Sequence, residues 1–126
     1  MEPLSQLPLS QQLAGSCCNE ADVGLYVNAT GLMWENAERF SALLVFAEHR
    51  FYGHSVPDQK NTGRTTPPAH HFLSHELALA DFATLVPVIR QKYGAESSAV
   101  ITFGGSYGGK LSAWMRMKYP GRSTPP

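Results

Sequence analysis

Residues 99–110 read AVITFGGSYGGK. The apolar, β-forming run Ala99-Val100-Ile101-Thr102-Phe103 enters Gly104-Gly105-Ser106-Tyr107-Gly108-Gly109, and a helix-type segment from Lys110 to Tyr119 follows at once. A strand, a tight turn and a helix around G-x-S-x-G form a nucleophile elbow, in which the turn holds a serine hydroxyl above the sheet edge. The glycines have mechanical reasons to be there. A Cβ at Gly104 or Gly108 would crowd the neighbouring strand and helix, and small neighbours make room for strained backbone at Ser106. The helix start supplies backbone N–H groups, and that of Tyr107 is placed to bind an oxyanion.

Two other readings fit part of this stretch. Gly104, Gly109 and Lys110 match G-x-x-x-x-G-K, the loop that cradles phosphates between a strand and a helix. The next residue should then be Ser or Thr to hold Mg²⁺, and it is Leu111. The third reading is a plain glycine-rich turn with an incidental serine. The elbow fits the context best.

The chain of 126 residues has room for one domain at most. Its 43% hydrophobic and 16% charged residues suit a globular protein rather than a disordered one. Ten basic residues balance ten acidic ones, so the totals point to neither nucleic acid nor an anionic membrane. The apolar runs are far too short to span a bilayer, and MEPLSQLPLSQQLAGSCC lacks the pattern of a signal peptide. Cys17 and Cys18 are adjacent and make no disulfide framework.

In chain order, residues 1–18 read as an irregular segment, broken by Pro3 and Pro8 and diluted by Ser and Gln. Cys18-Asn19-Glu20-Ala21-Asp22 is polar and turn-like. From about Thr30 to Phe40, Leu32, Met33, Ala37 and Phe40 recur at helical spacing. Asn28-Ala29-Thr30 is a glycosylation sequon at Asn28, meaningful only in the secretory pathway. Ala42–Ala47 is a continuous apolar run that suits a parallel strand buried on both faces. It leads into Glu48-His49-Arg50-Phe51-Tyr52-Gly53, at the edge where open α/β sheets carry their ligand crevice.

Val56 to Ala69 reads as a loop. Ser74 can cap a helix whose buried stripe is Ala78, Phe82, Leu85, Ile89 and Tyr93, with Pro87 expected to kink or end it and Gly94 to close it. In the last helix Leu111, Trp114 and Met115 share one face. Residues 121–126 read as a disordered tail with nothing to pack.

His49, His54, His70, His71 and His75 lack a recurring metal-ligand spacing and read as surface or loop histidines, with no metal site expected. One of them could serve as general base for Ser106. Glu48 and Arg50 could form a pair in the crevice, but read better as an ordinary structural ion pair.

Ala42–Pro57 (ALLVFAEHRFYGHSVP), Leu77–Phe82 (LALADF) and Phe103–Pro120 (FGGSYGGKLSAWMRMKYP) closely resemble the family of lysosomal Pro-X carboxypeptidase and dipeptidyl peptidase II. The similarity extends weakly back through Tyr26–Glu38 to Asn19-Glu20, about four-fifths of the chain. The resemblance implies an α/β fold: a partial α/β-hydrolase core over residues 19–120, with parallel strands and flanking helices, its sheet incomplete and the cap domain absent. It implies a serine exopeptidase cutting peptides beside a proline near a terminus, lysosomal or secreted, homodimeric at full length. No cofactor, nucleic acid or membrane is implied. Ser106 would be the nucleophile, the Tyr107 N–H one oxyanion donor, and Asn19, Glu20 and Asp22 part of a loop near the active site.

Cys18 and Ala21 stand where the family pattern usually has glycines, and LSQQLAGSC stands where an apolar strand should precede that loop. The family's catalytic Asp and His lie in segments that would follow Pro120. The expectation is therefore a truncated chain, poorly folded and inactive alone, with Leu43–Ala47 and Val100–Phe103 missing their shared neighbour; the alternative is a non-catalytic short form that acts as a binding module. Each unpaired buried backbone group would cost roughly 1–3 kcal/mol.

Overall fold

The structure, a computed structural model, describes residues 12–17, 20–56 and 69–123. Residues 1–11, most of the Val56–Ala69 loop and the last three residues lie outside that range. Its centre is a strand that the sequence conceals. Gln12–Cys17 forms β1, and it pairs in parallel with both β2 (Ala42–Ala47) and β3 (Ala99–Phe103), giving the order β2-β1-β3. Gln12 lies opposite Ala42 and Ala99, and Gly15 opposite Val45 and Thr102. This corrects two expectations. The irregular segment 1–18 contains a strand, and β2 and β3 do have their shared neighbour. Gln12, Gly15 and Ser16 interrupt any apolar run, so no periodic signal marks the strand. Backbone N–H and C=O groups pair whatever the side chains are, and a strand flanked on both edges needs little propensity of its own.

Helices cover the sheet. In β3 the alternation is plain: Val100 is buried at 1% exposure and its neighbour Ile101 is 39% exposed on the other face. The Val100 face packs under α3 (His75–Tyr93) and α4 (Ser106–Lys118), where Leu79, Phe82 and Ala83 meet Leu111 and Met115. Full burial of a leucine such as Leu111 is worth about 1.5–3 kcal/mol. The opposite face carries α2 (Gly31–Ala37), whose Met33 is buried, and a cavity of about 330 Å³ between Leu32, Phe40, Leu44, Ile101 and Phe103.

The ends of α3 follow their residues. The Ser74 hydroxyl accepts from the Leu77 N–H at 3.3 Å, and Gly94 adopts φ +61°. The Ala95 and Gly94 N–H groups then bond the Arg90 and Gln91 carbonyls, at 2.8 and 3.4 Å, which closes the helix. Pro87 does not end it early; α3 runs through to Tyr93. Proline removes a single donor, while Leu79, Phe82 and Ala83 anchor one side of it and Arg90 donates to the Ser98 carbonyl on the other. Tyr93, expected in the buried stripe, is 38% exposed.

A helix absent from the sequence reading, α1 (Val23–Ala29), precedes α2. The Asp22 carboxylate caps it through the Gly24 N–H at 2.7 Å, and the Trp34 indole N–H bonds the Val27 carbonyl at 2.7 Å, joining α1 to α2. At the other end Pro120–Ser123 forms a helical turn, α5, against α4 and β3. The tail thus packs as far as Ser123, since proline suits a first helical position.

Ala14→Pro separates the two accounts of the N-terminal segment. In the centre of β1 it removes a ladder N–H and leaves the partner carbonyl unpaired, costing about 1–3 kcal/mol. The melting temperature of the isolated chain should fall; an unchanged value would mean that β1 does not pair.

Candidate active site

All three parallel strands end at one sheet edge, and the elbow sits there. Gly105 is extended at φ −112°, ψ 158°, and Ser106 begins α4 at φ +52°, in the left-handed region. For a non-glycine residue that conformation costs about 1–3 kcal/mol. The turn is tight enough that a Cβ on Gly104 would lie 2.3 Å from the Gly108 carbonyl oxygen and 2.7 Å from the Gly109 nitrogen. The crowding expected at Gly104 is thus with the first turn of α4 itself. Gly108 is buried in that turn. Gly105 has open space around it. The Ser112 hydroxyl shares its hydrogen between the Phe103 carbonyl (2.8 Å) and the Gly108 carbonyl (3.0 Å), tying the end of β3 to α4.

Ser106 is exposed, and among the described residues no side chain hydrogen-bonds its hydroxyl. No side chain caps α4 at Gly105. First-turn N–H groups such as that of Tyr107 have no partner within the helix, so they present donors and the positive end of the helix dipole. An exposed hydroxyl beside the Tyr107 N–H is suited to attack on a carbonyl and to holding the oxyanion that forms. Leu111, where a phosphate loop needs a hydroxyl for Mg²⁺, is fully buried in the core.

Behind the elbow lies a contact that the sequence did not reveal. His49, expected at the surface, is buried at 1% exposure. Its Nδ1 is 2.7 Å from the Arg50 carbonyl oxygen and its Nε2 is 3.1 Å from the Tyr107 hydroxyl. Tyr52 packs edge-on against the ring at 5.1 Å. Burial, and then the negative charge of Glu20, push the Tyr107 phenol above its ordinary range, so it stays protonated. The pair is 58 residues apart in sequence, and its only local signal was the position of His49 at the exit of β2.

Glu48 and Arg50 do not pair with each other. Arg50 forms a two-pronged ion pair with Asp81 on α3, at 2.7 and 2.6 Å, and donates to the Phe72 carbonyl. Glu48 instead accepts from the Ser55 hydroxyl at 2.6 Å and from the Val23 N–H at 3.0 Å, bridging the loops after β2 and β1. Gly53, at φ +52°, packs so closely that a Cβ there would meet Glu48 Oε1 at 1.9 Å and Asp22 Cα at 2.9 Å.

Of the expected active-site loop, Asp22 caps α1 and bonds His54 at 3.2 Å, Glu20 is exposed, and Asn19 and Cys18 lie outside the described residues. Asn28 is exposed within α1, and the Thr30 hydroxyl of its sequon donates to the Tyr26 carbonyl. His75 pairs with Glu76 and leans on Trp114. Among the described residues no three His, Cys, Asp or Glu side chains gather as metal ligands, and no helix is long and apolar enough to cross a membrane.

Two measurements probe this geometry. Gly104→Ala should cost about 1–3 kcal/mol or more through overpacking, whereas Gly105→Ala should leave the melting temperature nearly unchanged. The hydrogen bonds from Ser55 and Val23 lower the Glu48 pKa below the ordinary carboxylate range. A depressed pKa contributes stability that is present above the unfolded value and lost as pH falls through the folded one. The Val23 amide resonance should therefore titrate with a midpoint below that range, and Glu48→Gln should abolish the titration.

A family model described as serine carboxypeptidase S28 matches residues 17–123. Lysosomal Pro-X carboxypeptidase of Pongo abelii is 52% identical over 103 residues, covering 81% of this chain and 21% of that protein. The Homo sapiens protein of that name is 50% identical with the same coverage. Prolyl carboxy peptidase like protein 5 of Caenorhabditis elegans is 49% identical over 104 residues, covering 81% of this chain and 20% of that protein. The chain spans about a fifth of the length of these curated relatives. With its elbow strand, turn and helix inside the matched range, the chain belongs to the serine carboxypeptidase S28 family.

Proposed function

We propose that this protein is a serine-type exopeptidase that hydrolyses peptide bonds beside proline, with Ser106 as nucleophile. One observation carries the reading: a non-glycine residue at φ +52° stands exposed between a parallel strand and a helix N-terminus, in a chain of the S28 family. In this reading the three parallel strands and their helices are part of an α/β-hydrolase core. The Ser106 Oγ attacks the scissile carbonyl, and the Tyr107 N–H takes up charge on the carbonyl oxygen. A histidine removes the serine proton and returns it to the leaving amine, and an aspartate orients that histidine.

His49 is not that base: its Nε2 meets the Tyr107 hydroxyl rather than Ser106, and its Nδ1 the Arg50 carbonyl. Among the described residues no histidine hydrogen-bonds the Ser106 hydroxyl. Substrate class follows the relatives named for Pro-X cleavage, and with it a lysosomal or secreted setting in which exposed Asn28 is glycosylated.

A fluorophosphonate probe on the protein isolated from its source should label Ser106, and Ser106→Ala should abolish labelling. Labelling that survives the substitution would sink the assignment. Mass analysis of a peptide with proline next to each terminus then reads the direction. Loss of one residue after a penultimate proline means carboxypeptidase action, and loss of an N-terminal dipeptide means aminopeptidase action.

A further inference from the structure

The His49–Tyr107 contact ends at the residue that follows the reactive serine. His49 is held from behind: a carbonyl oxygen only accepts, so its Nδ1 must carry a hydrogen toward the Arg50 carbonyl, 2.7 Å away. In the neutral ring Nε2 is then an acceptor, and the Tyr107 hydroxyl, 3.1 Å away, donates to it. The carbonyl that orients the ring belongs to Arg50, whose guanidinium is itself fixed on Asp81 and the Phe72 carbonyl. Tyr52 closes one side of the ring. An unbroken set of contacts therefore runs from α3 through Arg50 and His49 to the Tyr107 side chain. The Tyr107 backbone N–H is the donor offered to the oxyanion, and Ser106 before it is strained and free of other described bonds.

We propose that His49 is a positioning residue: through the Tyr107 hydroxyl it holds the first turn of α4, and hence the Tyr107 N–H, at the place where oxyanion charge develops. The proposal rests on the reading of Ser106 as nucleophile. It gives a physical reason for burying a polar ring behind the elbow, where an apolar side chain would pack as well but could not fix the phenol. A displaced donor loses charge stabilisation in the transition state while substrate binding is little affected.

Phosphonylation of Ser106 by a fluorophosphonate, measured on the full chain, tests this directly. An Oγ–P bond forms, the P–F bond breaks, fluoride leaves, and the hydroxyl proton passes to base or solvent, while the phosphoryl oxygen draws on the Tyr107 N–H. Tyr107→Phe keeps the ring and removes only the hydroxyl. It should lower the maximal labelling rate about tenfold and leave the half-saturating probe concentration within about twofold. His49→Gln places an acceptor near the Nε2 position and should recover most of the rate. His49→Asn mimics only the Nδ1 side and should not.

Tyr107→Phe with an unchanged rate overturns the proposal, as do equal losses in the Gln and Asn variants that track their melting temperatures. If the unsubstituted protein isolated from its source is not labelled at Ser106, the nucleophile reading itself falls and takes this proposal with it. The ¹⁵N spectrum of the His49 ring gives a measurement independent of labelling. The Nδ1–H tautomer is expected, and the Nε2–H tautomer in the folded chain would overturn the proposal.

Discussion

Parallel pairing of β1 with both β2 and β3 is the constraint on which the rest depends. It aligns the three strand ends, Cys17, Ala47 and Phe103, along one edge. The loop entering α1, the Glu48–Ser55 turn and the elbow are thereby brought side by side. Glu48 then crosses from the second of these to the first, and His49 from the second to the third. Without β1 in the middle, neither bridge would have its partner within reach.

Space at the edge is the second constraint. Gly104 lies so near the Gly108 carbonyl that no side chain fits, and Gly53 is equally close to Glu48 and the Asp22 backbone. At Gly104 backbone meets backbone, and at Gly53 the Glu48 carboxylate and the Asp22 backbone fill the space, so each place suits only glycine. Ser106 takes the opposite part: it bears a side chain in a conformation that favours none, which turns its hydroxyl outward at the start of α4. The strain is local. It is held by the Ser112 bonds to both sides of the turn and by burial of Leu111 and Met115 in the same helix.

Much of this was legible in the residues. Ala42–Ala47 and Ala99–Phe103 are strands over the ranges their apolar runs suggest, and Ser74 and Gly94 bound α3 as their chemistry requires. The elbow was legible because its function needs particular residue types at fixed spacing. β1 was not, because a small and partly polar segment becomes a strand only when two edges are already offered to it. The partners of Glu48, His49 and Arg50 were equally hidden. Three neighbouring residues point to three different elements, and sequence proximity made Glu48 and Arg50 look like a pair.

By itself the sequence determined the conformations of β2, β3, the elbow and the ends of α3, since caps, glycines and apolar runs act within a few residues of where they stand. It determined the family as well, through blocks of residues too specific to arise from composition. The tertiary structure alone decided which strand lies in the middle, and that His49 is buried with Tyr107 as its partner. Both depend on contacts between residues far apart in the chain. Such contacts are set by how the elements pack, and no spacing along the chain records them.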